Sequence, residues 1–471
     1  MVVKARLFVA KVSSKVATQL SKIGPGAGKN IPGYVFSKVG GKQSVSDIAK
    51  DLKLGSVLIT GTNGKTTTTT LLIKLMSKDL QIRKSFENNT VHSIITAILN
   101  QKGDLGIFEY GIRNLEYGIP DTVQKLIDPI GVVYTTISEE HTVVNGVKNP
   151  FLSYYRAKIL LSKEMTDGVI VTNCDDPRTA FIGISKNDIP INYYGIECDD
   201  VVDLLGSTVK CPNCGELLEY SKHTLNHRGV YSCKCGFKRP EPDVKLADIE
   251  FNEDNWKLHI VGDLFNYFAS KNVQFDVNVV VPPFGFHNIY NILASVTAYV
   301  TFTPKLDNIE KNIMDVFNNI DMSFVPPGRF EVIKYNGKNI GMGQGDNGDA
   351  VSINVNLMNQ YIDGDLEFIY TTPDAEEDDI FNSHYEVIKK INPKHVIVIP
   401  GRKSVEKAEE YCNIIKKDFD SVDFYPISYE NLDERISKVA ELAKNSSYDN
   451  VILTGCGEEF AFWESVKRNF D

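Results

Sequence analysis

The residues best suited to chemistry stand in one short run, Gly61-Thr62-Asn63-Gly64-Lys65-Thr66-Thr67, directly after the apolar stretch Ser56–Thr60. Two glycines bound a turn in which backbone N–H groups can close on a phosphate chain, and a helix opening at Lys65 adds its unpaired first-turn donors and the positive end of its dipole. Lys65 can then reach the β- and γ-phosphates as a point charge, and Thr66 can offer its hydroxyl to Mg²⁺. A chance glycine-rich turn is the plain alternative. The helical spacing of Leu71, Leu72, Leu75 and Met76 behind a Gly-Lys-Thr start argues against it.

A second cluster is Cys211-Pro-Asn-Cys214 with Cys233-Lys-Cys235, each pair followed by glycine. Two such knuckles can turn four thiolates toward one tetrahedral ion, which reads as a zinc ribbon with a structural Zn²⁺, since all four ligand positions are filled. The second pair is one residue shorter than usual. The other four cysteines (Cys174, Cys198, Cys412, Cys456) are scattered, a distribution that favours metal over disulfides, and Cys456 reads as buried rather than reactive.

Strands must position these groups. Ile107–Tyr110 reads as a strand ending at Glu109, and Gly131–Ile137 as another that runs into Ser138-Glu139-Glu140-His141. In an open α/β sheet, ligands sit beyond the carboxyl ends of the strands, so Glu109, Glu140 and His141 are placed to meet the loop phosphates. Apolar strands and helical patterns alternate from 56 to about 330, as a largely parallel sheet demands, and again beyond it, with strands at Leu366–Tyr370, His395–Ile399 and Val451–Thr454. Residues 1–55 form a short N-terminal segment: an amphipathic helix packed on its own domain, then a turn-rich stretch, Gly24–Gly33, expected to be an ordered loop.

Composition sets the outer limits. A chain of 471 residues exceeds one ordinary core and implies two to four domains. Lys+Arg of 51 against Asp+Glu of 61 leaves −10, which provides no sequence-independent hold on nucleic acid. No run has the length of a transmembrane segment, and Lys4, Arg6, Lys11 and Lys15 break up any signal-peptide core, so the expected location is cytoplasmic.

The form Gly61-Thr-Asn-Gly-Lys-Thr66 resembles the loop of the Mur ligase superfamily, the ATP-dependent, ADP-forming amide ligases of cell-wall precursor assembly and folate polyglutamylation. The resemblance implies an α/β fold: a P-loop Mur-ligase central domain over 56–329 with a parallel sheet and a zinc-ribbon insertion at about 205–240, plus a C-terminal Rossmann-like α/β domain over 330–471. It also assigns roles. Glu109 matches the glutamate that shares a first Mg²⁺ with Thr66. Thr135–His141 is similar to the family's Thr-Asn-Ile-x-x-Asp-His, whose histidine holds a second Mg²⁺, with Thr136 for Asn and Glu140 for Asp. Lys158 falls where many members carry a carbamylated lysine that completes that second site; an ordinary surface lysine is the alternative. Val169–Pro177 is similar to the family's Asn-x-Asp-Asp-Pro turn. Asn288 and Asn291 in Gly285-Phe-His-Asn-Ile-Tyr-Asn match adenine contacts, though Asn288 alone would pass as a helix cap. Arg329 in Pro327-Gly-Arg-Phe matches an arginine that touches nucleotide phosphates, and Asp346 an aspartate that meets the nucleotide when the domains close, with a plain Gly-Asp-Asn-Gly turn as its competitor.

Within the superfamily, the Pro-Gly stretch before the loop and the cysteine insertion resemble MurT-like ligases, the ligase half of the enzyme that amidates the glutamate of lipid II. That likeness is expected over residues 20 to about 330 and to lapse beyond, where the Asn-Pro-x-Gly stretch after the linker is missing. The family implies attack of a precursor carboxylate on ATP, an acyl phosphate, and capture by an amine. The expected activity is addition of an amino acid to a uridine-nucleotide- or lipid-linked precursor of pseudomurein or murein. One alternative is amidation with ammonia from a glutaminase subunit; another is a nucleotide-binding scaffold that has lost turnover.

Overall fold

The computed structural model describes residues 2–21, 30–86, 90–111, 120–138, 150–203, 206–252, 255–283, 285–321, 330–359, 362, 364–374, 377–401, 405–427, 429–456 and 460–470. They divide into two compact units, one built from Met1–Val202, Thr208–Pro283 and His287–Phe324, the other mainly from Val325–Asp471.

In the first unit, helices α1 (Val2–Ser21) and α2 (Ile31–Ala49) precede β1 (Ser56–Thr60), α3 (Lys65–Met76), β2 (Ile82–Ser85), α4 (Val91–Asn100), β3 (Leu105–Glu109) and α5 (Pro120–Ile127). Then follow β4 (Gly131–Tyr134), α6 (Pro150–Lys163), β5 (Val169–Asn173), α7 (Pro177–Ser185) and β6 (Ile191–Ile196). A hairpin of β7 (Glu219–Leu225) and β8 (Arg228–Ser232) stands apart, and β9 (Val244–Phe251), β10 (Trp256–Asn266), β11 (Lys271–Val281), α8 (Phe286–Phe302) and α9 (Ile309–Phe317) complete the unit.

The main sheet has the order β11-β10-β9-β6-β5-β4-β1-β3-β2. It is parallel from β2 through β9, and β10 and β11 extend it as antiparallel strands. The central strands β1, β3, β4 and β5 are buried at every position, which is why they read as unbroken apolar runs rather than as an alternation. Helix α8 lies so close to the sheet that a side chain on Gly131 would enter the ring of Phe302, so that glycine sets the packing distance.

The turn-rich stretch differs from expectation at its end. Ile31, Pro32 and Gly33 form the first turn of α2, where proline suits a position whose N–H is unused. A Cβ on Gly33 would stand 2.0 Å from the carbonyl oxygen of His92, so the glycine admits α2 onto α4. The rest of that stretch, 24–29, lies outside the described residues.

The second unit runs β12 (Glu331–Tyr335), β13 (Lys338–Gln344), α10 (Gly348–Met358), β14 (Leu366–Thr371), α11 (Asp378–Ile391), β15 (His395–Ile399), α12 (Val405–Ile415), β16 (Val422–Phe424), α13 (Leu432–Asn445), β17 (Asn450–Gly455) and α14 (Phe460–Lys467). Its sheet order is β12-β13-β17-β14-β15-β16, parallel except for the β12–β13 edge, a Rossmann-like arrangement. One apolar cluster joins α10, α11 and α12 to one face of this sheet, and another joins α13 and α14 to the opposite face.

Candidate active site

The loop after β1 owes its shape to its two glycines. Gly61 has φ 156° and Gly64 has φ 83°. A Cβ on Gly61 would stand 1.9 Å from Thr135 Oγ1, and one on Gly64 2.2 Å from Asn291 Oδ1, so a larger residue at either position is strained and must displace that side chain. Thr135, from the end of β4, donates its hydroxyl to the carbonyl of Asn63 at 2.6 Å. Thr62 is held on three sides: its N–H donates to Thr136 O at 2.6 Å, its hydroxyl lies 2.8 Å from Tyr154 OH, and it accepts from Ser138 N at 3.0 Å.

Thr66 and Glu109 meet directly. The Thr66 hydroxyl donates to Glu109 Oε2 at 3.0 Å, and Glu109 is 1 % exposed at the end of β3. A hydroxyl and a carboxylate at the first turn of a phosphate-binding helix form an oxygen donor set of the kind Mg²⁺ takes, shared with phosphate oxygens. Lys65 Nζ folds back onto Thr62 O at 2.6 Å, at the mouth of its own loop.

Lys158, on α6, is no surface lysine. It is 1 % exposed and reaches under the loop, donating to Thr60 Oγ1 at 3.0 Å and Gly61 O at 3.1 Å, with Nζ 4.9 Å from the centre of the Tyr154 ring. A carbamate on this nitrogen keeps one N–H for such an acceptor while placing two oxygens beyond it, which fits the chemistry the sequence implies. His141, with Glu140, lies outside the described residues, as does Arg329.

Asn288 and Asn291 are buried on the first turns of α8. Asn291 accepts from Thr68 Oγ1 at 3.3 Å and donates to Asn288 Oδ1 at 2.9 Å. Asn288 is therefore not a cap, since the helix begins before it and its side chain pairs along it. Both asparagines lie at the Gly64 end of the loop. Asp346 belongs to the second unit, at the carboxyl end of β13, where Gln344 Nε2 donates to it at 2.5 Å. The side chain of Asn347 caps α10 at Ala350 N, so this stretch is a helix start rather than a free turn.

The four clustered cysteines converge. Their sulfurs all lie within 4.8 Å of one another, with Cys211–Cys235 at 3.7 Å and Cys214–Cys233 at 3.5 Å. A tetrahedron with Zn–S bonds of about 2.3 Å has S–S edges of about 3.8 Å, so the set fits such an ion. Gly215 and Gly236 take φ of 85° and 91° and let each knuckle turn back. The Asn213 amide and the Phe237 N–H bring the exposed Cys235 thiol down to about 6, in thiolate range at neutral pH, while burial pushes Cys211 up to about 12.

The Asp175-Asp176-Pro177 turn lies behind the loop, with partners that the sequence does not indicate. Asp176 caps α7 and accepts from Thr136 Oγ1 and Ile137 N, both at 2.8 Å. Burial works against its charge, but His227, Arg178 and the Ile137 N–H outweigh it and hold the carboxyl well below its usual range. Asp175 accepts from Tyr290 OH at 2.7 Å and Arg239 Nε at 2.6 Å. Asp-Asp-Pro before a helical run is a readable cap signal; nothing local in the sequence announces the partners.

A phosphate loop at the end of a parallel strand, its threonine joined to a neighbouring strand-end carboxylate, defines a P-loop nucleotide-binding protein. Residues 59–210 match the Mur ligase middle domain. The chain is 24% identical over 420 residues to the lipid II isoglutaminyl synthase (glutamine-hydrolyzing) subunit MurT of Staphylococcus aureus (strain COL), covering 84% of each chain. Among solved structures it is similar to a pseudomurein peptide ligase type C from Methanothermus fervidus, with TM-score 0.64 and 24% identity over 91% of this chain and 81% of that one. It is also similar to MurF from Acinetobacter baumannii, with TM-score 0.59 and 14% identity over 93% and 80%. Residues 59–210 thus carry a Mur ligase middle domain, and the chain as a whole is similar to Mur ligases in sequence and fold. One expectation needs correction: a MurT match over 84% of the chain extends past residue 330, beyond the point at which the motif reading ended it. The missing Asn-Pro-x-Gly motif is a local difference; the α/β pattern of this chain's second unit continues past it.

Proposed function

We propose that the protein is an ADP-forming amide-bond ligase that activates a carboxylate of a cell-wall precursor as an acyl phosphate and joins it to an amino acid. The observation that carries this reading is the Thr66–Glu109 pair at 3.0 Å on the first turn of the phosphate loop. In this reading Gly61–Thr67 hold the ATP phosphates, and Lys65 leaves Thr62 O to follow the γ-phosphate. Thr66 and Glu109 hold one Mg²⁺, and His141 with carbamylated Lys158 a second. Bound Mg²⁺ neutralises charge that develops on the transferring phosphoryl group. Asn288 and Asn291 serve the adenine end, while Arg329 and Asp346 contact the nucleotide. The cysteine cluster holds a structural Zn²⁺.

The precursor carboxylate attacks the γ-phosphorus and ADP leaves; the amine then attacks the acyl carbon and expels phosphate. Thr60 and Tyr154 are buried beside the loop and in this reading limit the water that reaches the phosphoryl group from that side. Among the described residues, no helix is long and apolar enough to cross a membrane, and we place the reaction in the cytoplasm on uridine-nucleotide- or lipid-linked precursor.

A second reading replaces the amino acid with ammonia supplied by a glutaminase partner, and the match to MurT over 84% of both chains favours it. The test is mass spectrometry of wall precursors incubated with protein, ATP, Mg²⁺ and bicarbonate, with each amino acid or with ammonium. A product heavier by one amino-acid residue supports the first reading. Amidation by ammonium alone supports the second, and ATP binding with no amide under any condition leaves only the scaffold.

A further inference from the structure

The β7–β8 hairpin of the cysteine-rich insertion ends in a tip that is almost wholly enclosed. Thr224, Leu225, Asn226, His227 and Arg228 are each at most 4 % exposed. Hairpin tips normally face water, and burying an amide, an imidazole and a guanidinium is unfavourable unless they are hydrogen-bonded. This tip grips the Cys174-Asp175-Asp176 turn. Gly229 N donates to Asp175 O at 2.9 Å and Tyr231 OH to Cys174 O at 2.9 Å. His227 Nε2 lies 3.4 Å from Asp176 Oδ2, and Arg239, just past the last knuckle, donates to Asp175 and to Glu197 at 2.6 and 2.7 Å.

The same turn faces the phosphate loop on its other side. The Asp176 oxygen beside His227 also accepts from Thr136 and Ile137, and Thr136 O and Ser138 N are the groups that fix Thr62. Asp175 accepts from Tyr290, which also pairs with Thr224 of the hairpin and directly precedes Asn291, the residue packed over Gly64. Two routes thus run from the insertion to the loop, one at each end of it: the first passes through the 3.4 Å His227–Asp176 contact, the second through hydrogen bonds at Asp175 and Tyr290.

We propose that the insertion's hairpin positions the nucleotide site, with His227 acting through Asp176 on Thr62 and Arg239 acting through Asp175 and Tyr290 on Asn291. This rests on reading the loop as the ATP site. None of these hairpin residues touches phosphate; they hold the backbone donors in the arrangement that ATP requires, and thereby couple the cysteine cluster to ATP affinity. The insertion is then more than a folded appendage.

The experiment measures ATP·Mg²⁺ affinity of the full chain by displacement of a fluorescent ATP analogue, amide exchange of residues 60–68 by mass spectrometry, and metal content per chain. His227→Ala is expected to weaken ATP binding on the order of tenfold, the effect of removing the imidazole that lies 3.4 Å from the buried Asp176 carboxylate. Exchange over 60–68 should quicken while metal content stays at the wild-type level. His227→Gln keeps an N–H donor and should recover to within about threefold of wild type. Thr136→Val cuts the same route from the loop side without disturbing the insertion, and should shift affinity and exchange in the same direction even where His227→Ala fails to fold. Affinity within twofold of wild type in the folded variants, with exchange over 60–68 unchanged, would overturn the proposal and leave the hairpin a purely stabilising element. A wild-type chain that binds no ATP would overturn the reading of the loop itself.

Discussion

Gly64→Ala perturbs the site at one atom. Gly64 has φ 83°, a left-handed conformation that costs a residue with a Cβ about 1–2 kcal/mol. The new methyl would also stand 2.2 Å from Asn291 Oδ1, so Asn291 must retreat by about 1 Å to reach ordinary contact. That retreat breaks its bonds to Thr68 and Asn288, each worth about 1 kcal/mol net. The expected loss is therefore about 3–4 kcal/mol of stability, with ATP binding lowered at least tenfold because the loop can no longer close. Asn291→Ala should cost about 2 kcal/mol, and Gly64→Ala with Asn291→Ala should be no worse than Gly64→Ala alone, since the same two bonds are already lost. Denaturant unfolding of the four chains and ATP displacement give both quantities. Simple additivity of the two substitutions, or wild-type ATP affinity in Gly64→Ala, would refute the packing argument.

Other outcomes follow from the same geometry. Glu109→Gln keeps the shape and the acceptor for Thr66 but removes the charge, so turnover should fall about 10²- to 10³-fold and its Mg²⁺ requirement rise, with little change in melting temperature. His384 on α11 is buried beside Tyr370 OH, and burial lowers it to about 3. The folded chain holds it neutral, so its contribution to stability is complete above its unfolded value near 6.5 and declines as pH falls toward 3; from pH 7 to 5 the decline is about 2 kcal/mol. His384→Gln should flatten that part of the melting profile, and an unchanged profile would show that His384 is not responsible. Cys214→Ser should lower bound zinc, read by metal analysis, and destabilise the hairpin to proteolysis; full zinc content in that variant would remove the cysteine from the ligand set.

Much of the site was legible because its signals are local. The run from Ser56 to Thr67 carries strand, turn and helix start within a dozen residues, and the two cysteine knuckles each carry their own glycine. The strand expectations at 366–370, 395–399 and 451–454 agree with β14, β15 and β17 to within a residue at each end, because strands buried on both faces read as continuous apolar runs. What escaped the sequence is long-range. His227 and Asp176 are 51 positions apart, and Asp175 and Tyr290 are 115 apart, so no periodicity links them. Lys158 shows the same limit: its burial under Gly61 depends on where α6 crosses the loop. Residues 31–33 misled in the opposite way, because proline and glycine punctuate loops in general but also open a helix that must pass close to another.

The central claim, that a precursor carboxylate is activated as an acyl phosphate, is tested most directly by isotope transfer. Wall precursor labelled with ¹⁸O in its carboxylate is incubated with the protein, ATP, Mg²⁺ and the amine that supports turnover, and the released phosphate is analysed by mass spectrometry. The account predicts ADP and one ¹⁸O atom in each phosphate, since the oxygen that attacks the γ-phosphorus leaves with it. Unlabelled phosphate beside labelled amide, or AMP and pyrophosphate in place of ADP, would contradict it.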